Sequence, residues 1–274
     1  MTEQELIKAA LAEDLAGGVD ITSQATISAD AIATADFISR MDGVIAGINV
    51  AHAVLAEVGL NDVTLAKKDG DRVKAGDVLL TVRGNTRAIL LAERTALNFF
   101  GHLSGIATLT SKWVAEVAGT KCQVRDTRKT TPGMRNIEKY AVRMGGGTNH
   151  RMNLSDAALI KDNHIAAAGG VVPAFAQLRA AYPEAEIEIE VDTLEQLKEV
   201  LTQKPDLVLL DNMSPEQCKA AVELVNGLCK LEASGGISIA NARAYAQSGV
   251  DYIAIGALTH SAPVFDIGLD LRAE

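Results

Sequence analysis

Aromatic side chains are scarce in this sequence, since Phe, Trp and Tyr together make up 4% of its 274 residues. Few rings are therefore available to stack on the bases of a single-stranded nucleic acid. Positive charge is also in deficit, because the formal net charge at pH 7 is −9. Proteins that bind a phosphate backbone usually carry the opposite balance. The composition predicts no nucleic-acid partner.

The sequence also lacks long hydrophobic runs. Its start, MTEQELIKAALAEDL, has neither the basic region nor the apolar core of a signal peptide. The least charged stretch, 165–178, is too short to span a bilayer. The three cysteines form no CxxC pair and no zinc-ligand spacing; they are Cys122, Cys218 and Cys229. Such a pattern is typical of reduced thiols, so we expect a cytoplasmic protein with no membrane partner.

The sequence lacks the two common nucleotide-binding motifs, GxGxxG and Walker A. A repeated strand–helix pattern begins near residue 106. The predicted strands are 122–126, 157–161, 186–191, 206–210, 230–233 and 252–255. The predicted helices are 109–117, 135–144, 173–181, 194–201, 215–225 and 240–247. Serial βα units form parallel sheets, and this many units favour a closed or nearly closed α/β barrel. A doubly wound open sheet is the alternative.

Residues 1–105 show no such repeat. Their pattern predicts helices at 6–15, 48–58 and 89–99, strand-like alternation at 33–47, and glycine turns at Asp69-Gly70 and 75–77. We therefore predict two domains, an N-terminal α/β domain at 1–105 and the barrel at 106–274. The last residues are expected either to stay with the barrel or to pack back on the N-terminal domain.

The charge changes sign in the middle of the chain. Between residues 121 and 161 the cations outnumber Asp126, Glu138 and Asp156; they are Lys121, Arg125, Arg128, Lys129, Arg135, Lys139, Arg143, Arg151 and Lys161. Many of them occupy loop-like segments such as TRKTTPG and the segment after the triple glycine. Guanidinium and ammonium groups together suit a carboxylate or phosphate. A solvated basic surface is the simpler reading, but a pocket for a small anion fits the loops better.

Polar residues follow the predicted strands at their ends: Arg125-Asp126, Lys161-Asp162, Glu190 with Asp192, Asp211-Asn212, Ser234-Gly235-Gly236 and Gly256. In a βα barrel these ends form the face where active sites lie. Helix capping accounts for Asp211-Asn212 and Ser234. It does not account for Lys161 or Glu190, so we expect a site here.

Two chemistries are predicted at that face. Glycines at the ends of the last two strands let backbone N–H groups approach a phosphate. Glu190 and Asp211 end adjacent strands, and paired carboxylates suit Mg²⁺ or the hydroxyl groups of a sugar. These alternatives remain open from the residues alone.

Several longer segments carry a family resemblance: ERTALNFFGHLSGIAT, DTRKTTPGMR, GGGTNHR, LIKDNHI, EIEIEVDTLEQL, LLDNMSPE, EASGGI and AIGALTH. By these motifs the chain resembles the quinolinate phosphoribosyltransferase family almost from end to end. The resemblance implies an N-terminal α/β sandwich domain and an incomplete α/β barrel. It implies the Mg²⁺-dependent reaction of quinolinate with 5-phosphoribosyl-1-pyrophosphate, which yields nicotinate mononucleotide, pyrophosphate and CO₂ in NAD biosynthesis. It also implies homodimers, or a higher oligomer, with shared active sites.

The resemblance also assigns residues. Quinolinate is expected to bind Arg128, His150, Arg151 and Lys161, together with Arg94 from the neighbouring subunit. Phosphoribosyl pyrophosphate is expected to bind Thr127, Lys129, Glu190, Asp211, Ser234, Gly235, Gly236, Ile255, Gly256 and Ala257. The catalytic set is then Lys129, Lys161, Glu190 and Asp211, of which Glu190 and Asp211 hold the metal. His164 and Asp192 are expected to support these residues without touching the substrates.

Three rival functions remain. A Schiff-base aldolase would use Lys161 as its nucleophile and would be trapped by borohydride. A related protein of molybdenum-transport loci shares the fold and many motifs, and an assay with quinolinate separates the two. A non-catalytic anion-binding module is the third, and the joint presence of a carboxylate pair and phosphate loops disfavours it.

Overall fold

A computed structural model describes residues 1–274, apart from the side chain of Ala273. Contacts divide the chain into two units. The first comprises residues 1–111, 130–146 and 257–274, and the second comprises residues 112–129 and 147–256. The first unit thus takes up the last residues as well as the N-terminal half of the chain.

The N-terminal half of the chain contains both helices and strands. In chain order they are α1 (Glu3–Leu15), α2 (Ile21–Thr26), β1 (Ile32–Ser39), β2 (Gly43–Val44), α3 (Ile48–Glu57), β3 (Asp62–Leu65), β4 (Arg72–Val73), β5 (Val78–Asn85) and α4 (Thr86–Val117). The start of α1 follows from its sequence, because Thr2 and Glu5 form a capping box there.

The rest of the chain alternates strand and helix. The elements are β6 (Gln123–Arg125), α5 (Arg135–Met144), β7 (Ala158–Ile160), α6 (Asp162–Ala168), α7 (Val171–Ala181), β8 (Ile187–Val191), α8 (Leu194–Leu201), β9 (Leu207–Asp211), α9 (Pro215–Val225), β10 (Lys230–Ser234), α10 (Ile239–Gln247), β11 (Tyr252–Ala254), α11 (Ala257–His260) and β12 (Ile267–Ala273).

The first unit is built on an antiparallel sheet with the strand order β12-β1-β5-β3. Ala33, Ala35 and Phe37 alternate along β1 and are fully buried, as a half-buried strand requires. Phe37 pairs with Leu80 of β5 on one side and with Leu269 of β12 on the other. The predicted α/β class of the N-terminal region is confirmed, and its sheet is completed by the last strand of the chain.

Helix α4 is longer than the sequence pattern predicts. The separate helices predicted at 89–99 and 109–117 are one helix, and the predicted domain boundary at residue 105 falls inside it. Gly101 and Gly105 lie inside this helix. Because they have no side chain, the backbone of residues 263–265 can pack directly against the helix at these two positions. A Cβ atom on Gly105 would lie 2.1 Å from the carbonyl oxygen of Pro263. These glycines serve close packing rather than a turn.

The second unit is built on a parallel sheet of six strands in the order β6-β11-β10-β9-β8-β7. Its first strand in the sequence, β6, pairs with its last, β11, as in a barrel. Among the strands that the structure describes, the order is open between β6 and β7. The incomplete barrel is therefore confirmed. Every residue of β8 is buried, as expected for a strand covered on both faces.

Two findings bear on the environment of the protein. No helix within the described residues has both the length and the apolar character to cross a membrane. The cysteines are free thiols, of which Cys122 and Cys218 are buried. Burial raises the pKa of all three thiols above its ordinary value. They are therefore poor nucleophiles at neutral pH.

Candidate active site

The carboxyl ends of β8, β9 and β10 lie side by side in the second unit. Val191 pairs with Leu210, and Asp211 pairs with Ser234, so the three strands end at the same level. The polar residues that follow them therefore share one edge of the sheet. This is the edge at which α/β proteins place their ligands.

Three carboxylates converge at that edge. One oxygen each from Glu190, Asp192 and Asp211 lies within 4.8 Å of the others. Burial raises the pKa of Glu190 and of Asp211, and the charge of Asp192 raises the pKa of Asp211 further. A cation among these oxygens would relieve the repulsion. An all-oxygen donor set is the one that Mg²⁺ prefers, so these residues fit the predicted metal.

Lys161 directs its charge toward this cluster. It follows β7 and is the N-cap residue of α6, where its backbone N–H donates to Nδ1 of His164 at 3.0 Å. Its Nζ lies 3.5 Å from Oε2 of Glu190, and its side chain is 51% exposed. Lys161 thus contacts the carboxylates while remaining accessible to a ligand.

Arg128 and Arg151 are held close enough to affect each other. Burial lowers the pKa of Arg151, and the positive charge of Arg128 lowers it further. The Nε atom of Arg128 is buried and has no hydrogen-bond partner among the described residues. A buried donor of this kind is costly unless a ligand accepts from it. The pair therefore suits an anion.

The segment that carries His150 and Arg151 is fixed alongside β6. Asp126 is fully buried, and its Oδ1 accepts from the backbone N–H of His150 at 2.9 Å. The backbone N–H of Arg151 donates to Nδ1 of His150 at 2.7 Å. The guanidinium of Arg151 donates to the carbonyl oxygen of Ala157 at 2.9 Å. Both the backbone and the side chain of Arg151 are thereby positioned.

Lys129 continues the loop after Arg128. It is exposed, and its backbone N–H donates to Oγ1 of Thr127 at 3.0 Å. Two residues further on, in the first unit, the backbone N–H of Thr131 donates to Oε2 of the buried Glu138 at 3.0 Å. The loop is therefore tied down on both sides of Lys129.

The glycine segment after β10 has the conformation that only glycine adopts readily. Gly235 and Gly236 have positive φ values of 87° and 63°. A Cβ atom on Gly235 would lie 2.1 Å from Oδ1 of Asn212. Asn212 in turn donates to Oδ2 of Asp211 at 2.6 Å. The loop after β10, which is predicted to bind phosphate, therefore contacts the loop after β9. Asn212 connects it to the carboxylate cluster.

The remaining predicted residues occupy three positions. Ile255 is buried after β11, where its N–H donates to the carbonyl oxygen of Arg125 at 2.9 Å. Gly256 is the last residue of the second unit, and Ala257 begins α11 in the first. Arg94 belongs to the first unit and is exposed on α4.

Two buried glutamates lie deeper in the second unit, and the sequence analysis did not single them out. Glu188 of β8 and Glu232 of β10 are 4% and 0% exposed. Burial raises the pKa of both carboxyl groups, and Arg125 opposes this. The alternation in EIEIEVD could have revealed Glu188, because it places Glu188 on the same face as Glu190. Glu232 carries no comparable signal.

Comparisons with known proteins decide the family. The model of the quinolinate phosphoribosyl transferase N-terminal domain matches residues 20–104, and the model of the C-terminal domain matches residues 106–270. The chain belongs to the quinolinate phosphoribosyltransferase family. The predicted resemblance is thus confirmed.

Individual members of the quinolinate phosphoribosyltransferase family are similar to this chain over nearly their whole length. The nicotinate-nucleotide pyrophosphorylase [carboxylating] of Mycobacterium leprae is 52% identical, over 98% of this chain and 96% of the relative. The crystal structure of nicotinate-nucleotide pyrophosphorylase from Ehrlichia chaffeensis is 41% identical, with a TM-score of 0.95 and 99% of each chain covered. That of NadC from Streptococcus pyogenes is 40% identical, with a TM-score of 0.94, covering 98% of this chain and 96% of that one.

Proposed function

We propose that this protein transfers the phosphoribosyl group of 5-phosphoribosyl-1-pyrophosphate to quinolinate and releases nicotinate mononucleotide, pyrophosphate and CO₂. Family membership supports the reaction class. The assignment of quinolinate as the substrate rests on the pair Arg128 and Arg151. The Nε atom of Arg128 is buried and has no hydrogen-bond partner among the described residues. A dicarboxylate would accept hydrogen bonds from both guanidinium groups.

The residues of the second unit support a mechanism of positioning and charge stabilisation. Arg128 and Arg151 would orient quinolinate so that its ring nitrogen faces C1 of the ribose. The nitrogen forms the new bond as the bond from C1 to pyrophosphate breaks, and Lys129 would stabilise the charge on the departing pyrophosphate. Lys161, next to Glu190, would hold a carboxylate of quinolinate near the ribose hydroxyls.

The second half of the reaction needs no nucleophile from the protein. Once the ring nitrogen carries the ribose, its positive charge stabilises the electron pair that remains on the neighbouring ring carbon when the carboxylate departs as CO₂. The carbon that loses CO₂ then takes up a proton. This chemistry agrees with thiols whose pKa is raised by burial. It does not support a Schiff-base aldolase, because Lys161 lies beside a carboxylate rather than in an apolar pocket.

Glu190, Asp192 and Asp211 would hold Mg²⁺, which would neutralise charge on the pyrophosphate group when bound. Asp192 is thereby added to the two ligands predicted from the sequence. The glycine segment at Ser234, Gly235 and Gly236 would receive the phosphate through backbone N–H groups.

We also propose a homodimer in which Arg94 completes the site of the neighbouring subunit. Arg94 is exposed on α4 of the first unit. In the second unit, Arg151 borders a cavity of about 570 Å³ whose apolar wall includes Leu154 and Leu159. Leu154 is 71% exposed, and contiguous apolar surface of this kind marks protein interfaces. The free thiols support a reducing compartment, and we propose the cytoplasm.

An assay of the purified protein tests the function. Quinolinate, phosphoribosyl pyrophosphate and Mg²⁺ should yield equimolar nicotinate mononucleotide and CO₂. Replacing quinolinate by nicotinate should lower kcat/KM at least about tenfold, because a hydrogen bond to a charged group contributes about 1.5–3 kcal/mol. Comparable turnover of nicotinate would contradict the assignment of the arginine pair, and a lack of product from quinolinate would contradict the function.

The carboxylate cluster makes a separate prediction. Asp211→Asn should weaken the Mg²⁺-dependent binding of phosphoribosyl pyrophosphate by about 1.5–3 kcal/mol, the contribution of a charged polar contact. Isothermal titration calorimetry with and without Mg²⁺ measures the effect. Asp162→Asn is the matched control, since it removes an exposed carboxylate next to Lys161. Equal losses in the two variants would indicate a general charge effect instead of a metal site.

A further inference from the structure

Three buried ionisable side chains and the partly buried Arg125 form a cluster inside the second unit, which we call the core cluster: Arg125, His150, Glu188 and Glu232. Nη1 of Arg125 lies 2.8 Å from Oε2 of Glu232, and Nε2 of His150 lies 2.8 Å from Oε2 of Glu188. Burying two carboxylates is unfavourable unless they are paired. Arg125 pairs with one glutamate and His150 with the other, while Oε1 of each glutamate has no hydrogen-bond partner among the described residues.

The hydrogen bonds of His150 determine which of its ring nitrogens carries the proton. The backbone N–H of Arg151 can only donate, so Nδ1 of His150, 2.7 Å away, must accept. The proton of the neutral ring therefore lies on Nε2, which faces the carboxylate of Glu188. The ring is held at both nitrogens: Nδ1 accepts from the backbone of Arg151, and Nε2 lies 2.8 Å from Oε2 of Glu188 and, further away, 3.4 Å from Oε1 of Glu232.

This tautomer excludes one function for the core cluster. Ligand atoms of His150, Glu188 and Glu232 lie within 4.8 Å of one another, a spacing that a metal ion could bridge. A metal ion would need the lone pair of Nε2, which would move the proton to Nδ1 and against the N–H of Arg151. The guanidinium of Arg125 would also repel the ion. The core cluster is therefore arranged for hydrogen bonding, not for metal binding.

The tautomer also bears on the predicted contact between His150 and quinolinate. Both ring nitrogens already bond within the protein, so the contribution of the ring runs through its neighbour in the sequence. Arg151 is fixed at its backbone by His150 and at its guanidinium by the carbonyl oxygen of Ala157. The orientation of Arg151 thus depends on the core cluster.

We propose that Glu188 is a positioning residue for quinolinate: it holds His150 in the Nε2–H tautomer, and His150 in turn fixes the backbone of Arg151. The proposal rests on the proposed function of Arg151 as part of the quinolinate site. Glu188 does not touch the substrates. Its effect should therefore appear in the binding of quinolinate and not in that of phosphoribosyl pyrophosphate.

Two variants of Glu188 separate positioning from bulk packing. Glu188→Gln keeps a carbonyl oxygen that can accept from Nε2 of His150, whereas Glu188→Leu removes the nearer acceptor at similar volume and leaves only Oε1 of Glu232 at 3.4 Å. We expect Glu188→Leu to raise KM for quinolinate at least tenfold, with KM for phosphoribosyl pyrophosphate within twofold of wild type. Glu188→Gln should restore KM for quinolinate to within threefold. Glu184→Leu, at an exposed residue in the loop before β8, is the matched control and should leave both constants unchanged.

Parallel increases in both KM values for Glu188→Leu, or equal damage from Glu188→Gln, would overturn the proposal and indicate a purely structural role. A second measurement holds even if Glu188→Leu does not fold. Nitrogen-15 NMR of histidine-labelled wild type, assigned with His150→Gln, should show His150 as the neutral Nε2–H tautomer. A proton on Nδ1 would overturn the proposal.

The NMR result is independent of turnover. If wild type shows the Nε2–H tautomer but forms no product from quinolinate, the proposed function fails while the geometry of the core cluster stands. If wild type is active but the tautomer or the KM pattern differs, only the role of Glu188 fails.

Discussion

Arg128→Ala is expected to weaken quinolinate binding by about 1.5–3 kcal/mol, the size of a hydrogen bond to a charged group. The physical reason is the position of its guanidinium, whose Nε is buried without a partner within the described part of the chain. Arg151→Ala should have an effect of the same size. Calorimetric titration with quinolinate measures both, and the affinity for phosphoribosyl pyrophosphate should change much less.

Lys121→Ala is the matched control for the arginine pair. Lys121 belongs to the same basic stretch, but its Nζ is paired with Asp251 at 2.8 Å and its side chain is 59% exposed. We expect no change in quinolinate affinity. If Lys121→Ala weakened binding as much as Arg128→Ala, a diffuse basic surface would explain the affinity, and the pocket assignment would be wrong.

Mixing two inactive variants should restore activity if the sites are shared between subunits. Arg94→Ala and Lys161→Ala are each expected to be inactive and dimeric, because each removes a cation from every site. A hybrid dimer has one site with both residues intact and one site with neither. Random pairing makes half of the dimers hybrids, so about a quarter of wild-type activity should return.

The control for this experiment is a mixture of Arg94→Ala with the double variant Arg94→Ala, Lys161→Ala. No pairing of these chains supplies Arg94, so no activity should appear. Native mass spectrometry confirms that subunits have exchanged. An absence of recovered activity after confirmed exchange would show that Arg94 serves its own subunit or none.

Most of the second unit could be predicted from the sequence, because its elements are locally encoded. Helices α8 and α9 have the predicted bounds, and each of the six predicted strands is present. Short apolar runs separated by capping residues are the expected pattern for a buried parallel sheet. Helix α6 was not predicted, since the sequence after Lys161 is dominated by alanine and glycine and has no apolar period.

Features that depend on contacts between distant parts of the chain were harder to predict from the sequence. In the sequence pattern, Gly101 and Gly105 look like the end of one helix and the start of another. Their role becomes clear only from the structure, where the backbone at Pro263 and Phe265 packs against them. The predicted site residues Arg128, Arg151, Lys161, Glu190 and Asp211 all lie in the second unit, because polar residues at the ends of parallel strands share an edge. Glu188 and Glu232 escaped notice, since a glutamate within a strand is ordinarily assigned to the solvent face. Their burial depends on partners from distant strands.

The pairing of β1 with β12 limits when the antiparallel sheet of the first unit can form during synthesis. Strand β1 leaves the ribosome early, and its partner on one side, β12, is synthesised only after the whole of the second unit. The first unit therefore cannot complete its sheet until the second unit has been synthesised, although folding usually proceeds from the N-terminus. Until β12 emerges, β1 presents an unpaired edge, which is a template for aggregation. We infer that nascent chains of this protein depend on chaperones for longer than its size alone would suggest.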